Sequence, residues 1–393
     1  MRSRDTLETT SHEIIRAANM LSMSQSPDGS VRDDSDSLQV RQLMQGLETS
    51  YRQFCTSVGG AATQAFEMFE TDMSAWRHEG LRTVPDFSET HASWSLPSED
   101  ALMPYLAPQR VPNSYRGNDF VFTFAAVSRY EYERSDCQAA ISEAIAAVPD
   151  PREVLVVDAP YRNASYTKGD GSVLFSELIR AKGRNGPQKY GAFIVNDFRR
   201  RFTTQVIDGK DFVTGVAQKL RDESHLSLED ERAVWLQVHD VYHDVGNLPH
   251  SKYLAMKMKL APAALDELKA DSHAYLALQQ LGEPWQSAGL RQLVDKMLRF
   301  PFSPYGYRSV DAIVGETFLR HAVRMGAIES TAGGIDIDTA RFHAVVEKIG
   351  QESIAVETVE SPEDYLDNCR EYLLRQGLTM GPDRMMLVDI PVR

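Results

Sequence analysis

The apolar residues of this chain change period twice, and that alternation limits the folds open to it. From Leu38 to about Arg82 (VRQLMQGLETSYRQF, then AATQAFEMFETDMSAW) they recur every three or four positions, which predicts a helical hairpin. The runs Phe120-Val-Phe-Thr-Phe-Ala-Ala-Val, Val154-Leu-Val-Val-Asp and Tyr190-Gly-Ala-Phe-Ile-Val-Asn-Asp are instead short, β-branched and aromatic. With Phe202-Thr-Thr-Gln-Val-Ile they predict a sheet of about four strands. A helix over Gln138–Val148 lies between strands, and Lys168–Ser172 and Lys182–Pro187 read as turns. Beyond about Asp211 the pattern is helical through Gln376, apart from the break Phe300–Tyr307. The expected class is α+β, with a small sheet unit of about four strands packed against a mainly helical unit.

Four segments follow from this pattern. Residues 1–37 read as a disordered or linker N-terminus: the first 21 are a possible short helix, but Ser22–Ser37 (SMSQSPDGSVRDDSDS) lacks the apolar surface to order itself. Residues 38–112 hold the helical hairpin and an irregular crossing, Pro85–Pro112, rich in Pro, Ser and Asp. Residues 113–210 form the sheet unit. Residues 211–393 form the helical unit, where the histidines cluster.

Composition excludes several partners. With 42 basic against 56 acidic residues the net charge is -14, which repels nucleic-acid backbones and anionic lipid. No window approaches a membrane span and Met1-Arg-Ser-Arg-Asp-Thr-Leu-Glu lacks a signal-peptide core, so a cytoplasmic protein is expected. The excess of arginine over lysine suits a GC-rich bacterial genome. Cys55, Cys137 and Cys369 are far apart and form no CxxC pair, so a bound metal must use histidine and carboxylate.

Five of the ten histidines, His225, His239, His243, His250 and His273, fall within one stretch of about fifty residues. Ser227 and Asp230 give a helix-start signature, Val234, Val238, Val241 and Val245 follow helical spacing, and Gly246-Asn247 ends the helix. His239 and His243 therefore share one face, where two imidazoles close on one divalent cation. A second helix, beginning at Pro262 and ending at Gly282, carries Glu267 and Asp271 four residues apart. These like charges favour a cation or a histidine N–H beside them.

This text, His239-Asp240-Val241-Tyr242-His243 followed by Glu267-Leu268-Lys269-Ala270-Asp271, resembles the gluzincin metallopeptidases, with H-E-x-x-H on one helix and E-x-x-x-D on the next. The resemblance implies zinc held by His239, His243 and Glu267, with Asp271 orienting a ligand histidine. Asp240, one methylene shorter than the family's glutamate, would take the proton of the attacking water. The implied reaction is hydrolysis of an amide or related bond in a small or peptide-like substrate. His321, on the helical stretch Val310–Met325 with Glu316, is the candidate donor to the developing oxyanion.

Other readings share part of this set. His243-Asp244, with His225 and Asp295, resembles the HD phosphohydrolase signature. Two histidines and one carboxylate also describe the facial triad of Fe2+ oxygenases, and a closed site would merely staple two helices. His250 and His273 are weaker candidates, since a lone histidine is more often structural. Lys168–Ser172 lacks a phosphate-loop pattern, and Arg199-Arg200-Arg201 reads as a solvated strand edge. Oligomeric state has no signature in the sequence.

Overall fold

The computed structural model describes residues 2–33, 37–94, 101–110, 120–163, 172–175, 190–195, 226–249, 253, 256–257, 259–301, 310–331, 334–359, 361–380 and 385–386. The chain divides into two compact units, residues 1–131 with 154–201 and residues 132–153 with 202–393. The described residues are mostly helical with one five-stranded sheet and two short hairpins, an α+β protein.

The first unit holds helices α1 (Arg2–Met23), α2 (Ser37–Val58), α3 (Ala61–Glu79) and α4 (Ser88–Ser93) and strands β1 (Met103–Arg110), β2 (Phe120–Arg129), β3 (Glu153–Arg162), β4 (Ser172–Phe175) and β5 (Tyr190–Ile194). The sheet has five strands in the order β1-β2-β3-β5-β4, in line with the about four expected. On α2, Val40, Met44, Leu47, Tyr51 and Phe54 follow helical spacing and are all buried. Phe54 meets Phe124 of β2 edge-to-face at 5.6 Å, and Phe87 meets Phe122 at 5.3 Å. Such ring pairs add about 0.5–1.5 kcal/mol each beyond their burial.

Within residues 1–37, α1 buries Ile14, Ala18 and Leu21 fully in this core. The polar stretch after α1 is ordered largely by hydrogen bonds, with Val31 as its buried apolar residue. Gln25 donates to Gly29 O at 2.6 Å and accepts from Phe122 N at 3.3 Å, and Val31 N donates to Leu81 O at 2.8 Å. The stretch 85–112 contains α4 and β1. Pro104 and Pro108 mask β1 in the sequence, yet β1 is an edge strand bonded only to β2, where proline is tolerated. The expected strand Phe202–Ile207, the turn Lys182–Pro187, Arg199–Arg201 and all of Lys168–Ser172 but Ser172 lie outside the described residues.

The second unit comprises α5 (Cys137–Ala144), α6 (Leu228–Tyr242), α7 (Leu260–Gln280), α8 (Trp285–Arg299), α9 (Val310–Arg324), α10 (Thr339–Val356) and α11 (Pro362–Arg375), with the hairpins β6 (Ile328–Thr331)/β7 (Gly334–Ile337) and β8 (Thr379–Met380)/β9 (Met385–Met386). The β6/β7 hairpin interrupts what the sequence presents as continuous helix. The helix expected between strands, α5, belongs to this unit: Tyr242 Oη donates to Ala144 O at 2.8 Å, and Asp230 accepts from Glu133 N and Arg134 N. Every other described helix of the unit packs on α7. Asp266, Lys269 and Asp271 of α7 are thus buried with its Ala and Leu, and buried charges must be paired. No described helix is long and apolar enough to cross a membrane.

Candidate metal centre

Helix α6 begins as its sequence dictates, with Ser227 Oγ accepting from Asp230 N, and ends at its C-cap, His243. Its spacing aims His239 and His243 at α7. Their Nε2 atoms lie 3.1 Å apart, and Glu267 brings Oε2 to 3.5 Å from His239 Nε2 and Oε1 to 3.6 Å from His243 Nε2. One ligating atom from each of His239, His243 and Glu267 falls within 4.8 Å of the others. Trp235 stacks on the His239 ring with centroids 6.2 Å apart.

The far side of each imidazole is held by an aspartate. His243 Nδ1 lies 2.7 Å from Asp266 Oδ2, and His239 Nδ1 lies 2.9 Å from Asp271 Oδ1. Protons on Nδ1, facing those carboxylates, leave both Nε2 atoms as bare acceptors. Two imidazole lone pairs and a carboxylate then face one another with no donor between them, an arrangement that a cation satisfies. The donor set fits a divalent metal.

The surrounding charges fix this geometry. Burial opposes ionisation of Asp271, but Lys296 and His239 outweigh it and hold its carboxyl at about 2. Asp266 is held well below the usual range against its burial by Lys269, His243 and Lys257. For His239 burial favours the neutral ring, but Asp271 and Glu267 raise its affinity for a proton. Lys296 Nζ sits 2.6 Å from Asp271 and 3.3 Å from Glu267. A second buried network, Lys257, Asp266, Lys269 and Glu357, reaches the loop after His243. Lys269 donates to Val245 O at 2.6 Å and to Glu357 Oε1 at 2.8 Å, and Glu357 Oε2 accepts from Leu248 N at 3.3 Å.

Gly246 in that loop has φ +104°, and a Cβ there would lie 2.2 Å from Glu357 Oε2. Gly246→Ala is expected to cost more than about 1 kcal/mol of stability and to loosen His243. Thermal unfolding and zinc titration check this, and wild-type values in both would show that the loop is not clamped.

The remaining candidates fall elsewhere. Asp240 is buried against Arg152, whose Nη1 lies 3.1 Å from Asp240 Oδ2, and it is not in the ligand cluster. Asp244 pairs with the same arginine, Nε to Oδ2 at 3.7 Å, so neither it nor Asp295 joins the ligands as an HD site requires. His321 is not brought to the ligands. Its Nδ1 faces Thr317 O at 3.0 Å, and it lines a separate cavity of about 540 Å³ with Arg324, Lys348, Glu352 and Tyr372. His273 stacks on Tyr242 at 5.4 Å, while His225 and His250 lie outside the described residues.

No family model matches the chain, and no curated protein matches it in sequence. Solved structures do. DPP III from Caldithrix abyssi is similar with a TM-score of 0.59 and 10% identity, over 88% of this chain and 70% of that one. Dipeptidyl-peptidase III from Corallococcus sp. strain EGB is similar with a TM-score of 0.58 and 15% identity, over 94% of this chain and 71% of that one. The fold resembles that of dipeptidyl-peptidase III. At such identities the likeness is one of fold, and the chemistry must be argued from the side chains.

Arg152, Lys296 and Glu357 had no signal in the sequence, and Asp266 had only a weak one. Each reads there as an ordinary surface charge. Asp266, next to Glu267 in the chain, is the one that sequence could have found, since adjacent acids on one helix turn can serve two neighbouring histidines.

Proposed function

We propose that the second unit is a metal-dependent hydrolase of peptide or related amide bonds, with one divalent ion, zinc, on His239, His243 and Glu267. The observation that carries this reading is the convergence of two Nε2 atoms and a carboxylate, each imidazole facing an aspartate on its far side. Zinc is favoured because imidazole and carboxylate are its ordinary donors, and three protein ligands leave a position open. The names of the two similar structures supply the substrate class, a peptide.

Bound there, a divalent metal supplies Lewis acidity toward a scissile carbonyl and toward water. The chain's own residues do the rest. Asp271 and Asp266 keep the Nε2 lone pairs aimed at one point. Arg152 immobilises Asp240 through Oδ2, and among the described residues Oδ1 has no hydrogen-bond partner. We assign Oδ1 the proton of the attacking water. His321 has no part in this scheme.

A second reading, a metal site that only joins α6 to α7, is favoured by that same ion pair, since a carboxylate tied to a buried arginine is a poor base. Elemental analysis combined with mass spectrometry of short peptides incubated with the protein separates the two. About one zinc per chain, with cleavage lost on chelation and restored by zinc, is expected. Zinc without cleavage would favour the joining role, one iron per chain would favour oxygen chemistry, and no metal in protein never exposed to chelator would overturn the site.

A further inference from the structure

We propose that Lys296 is a resident counter-ion of this centre, an ammonium that holds the acidic ligand and its neighbours together without metal and opposes the metal once it binds. This inference rests on the metal-site reading above. Lys296 of α8 places Nζ 2.6 Å from Asp271 Oδ2, 3.3 Å from Glu267 Oε2 and 3.1 Å from Asp311 Oδ1 of α9. Three acceptors match the three donors of an ammonium, so it has none to offer a substrate. It is a positioning residue.

The backbone is built for this contact. A Cβ at Gly315 would lie 2.5 Å from Lys296 O, so glycine lets α9 approach α8 closely one helical turn after Asp311. Any side chain there would push Asp311 away from the ammonium.

Glu267 and Asp271 are like charges one turn apart on α7, and Asp271 has no exposed surface. A fully buried carboxylate beside a half-buried one is costly without a cation. The spacing calls for a metal or a histidine N–H there, and the structure also places the Lys296 ammonium against both acids. Two cations then share one carboxylate, because Glu267 Oε2 faces both Lys296 Nζ and His239 Nε2. Like charges so placed raise each other's free energy, and the coupling is reciprocal. Removing Lys296 must destabilise the metal-free site and tighten metal binding. Removing the charge of Asp311, which touches Lys296 and not the ligands, must weaken it.

The test is zinc titration against a competing chelator, with thermal unfolding in the presence and absence of zinc, on wild type, K296M, K296R and D311N. Metal-free K296M is expected to melt below wild type yet bind zinc about tenfold more tightly. K296R is expected to resemble wild type, and D311N to stay folded and bind about fivefold more weakly. If K296M binds no tighter than wild type, or D311N no weaker, the proposal is overturned while the metal site stands. If K296M fails to fold, D311N decides. Wild-type protein that takes up no zinc overturns both readings.

Discussion

Glu267→Gln is expected to cost the protein its metal. The substitution keeps the shape of the side chain but removes the only negative charge among the three converging ligands. The amide also brings an N–H₂ group toward two bare Nε2 atoms, where it donates to them and fills the position of the ion. The loss should exceed the about 10–100-fold expected of Asp271→Asn, which disturbs only the proton behind His239. Asp244→Asn should leave metal affinity unchanged, since Asp244 contacts Arg152 and lies outside the cluster. Zinc titration of the three variants in parallel reads this order. If Asp244→Asn emptied the site while Glu267→Gln bound normally, the ligands would be those of an HD phosphohydrolase and the expectation of amide chemistry would go with them.

What was legible in the sequence was what local periodicity carries. His239 and His243 lie on a helix with a recognisable cap, and Glu267 and Asp271 repeat the same spacing on the next, so their convergence needed only that α6 and α7 be neighbours. The sheet was legible through β2, β3 and β5, whose β-branched and aromatic runs announce them, but not through β1, whose prolines imitate a loop. Order in residues 24–33 was illegible because side-chain and backbone hydrogen bonds hold most of that turn, and Val31 is its one buried hydrophobic side chain. His321 misled because a histidine on a helix near an acid looks the same from sequence whether it faces a metal or, as here, a cavity elsewhere. The hidden class of residue was the buried charge: α7 carries Asp266, Lys269 and Asp271 among alanines and leucines, and only the crowding of helices around it shows that all three are out of solvent.

Glu357, at the C-cap of α10 and far in sequence from His243, gives the second large effect. Lys257, Lys269, Asp266 and Glu357 are all nearly inaccessible and form a balanced set of two cations and two anions. Glu357→Leu leaves one ammonium in excess in a dry interior, and breaking a buried ion pair in this way costs about 3–5 kcal/mol. It also releases Leu248 N and weakens the hold of Lys269 on Val245 O, so the loop that follows His243 loses its anchor and zinc affinity should fall with stability. Charge and shape are separable here. Adding Lys269→Met to Glu357→Leu restores a balanced pair, Lys257 with Asp266, and should recover much of the lost stability. Zinc affinity should recover less, because Val245 O and His243 O have then lost their donor. Denaturant unfolding and zinc titration of the single and double variants measure the two effects. A Glu357→Leu protein as stable as wild type would show that the quartet is not the brace of the site, and a double variant no more stable than the single would show that shape, not charge balance, is what Glu357 contributes.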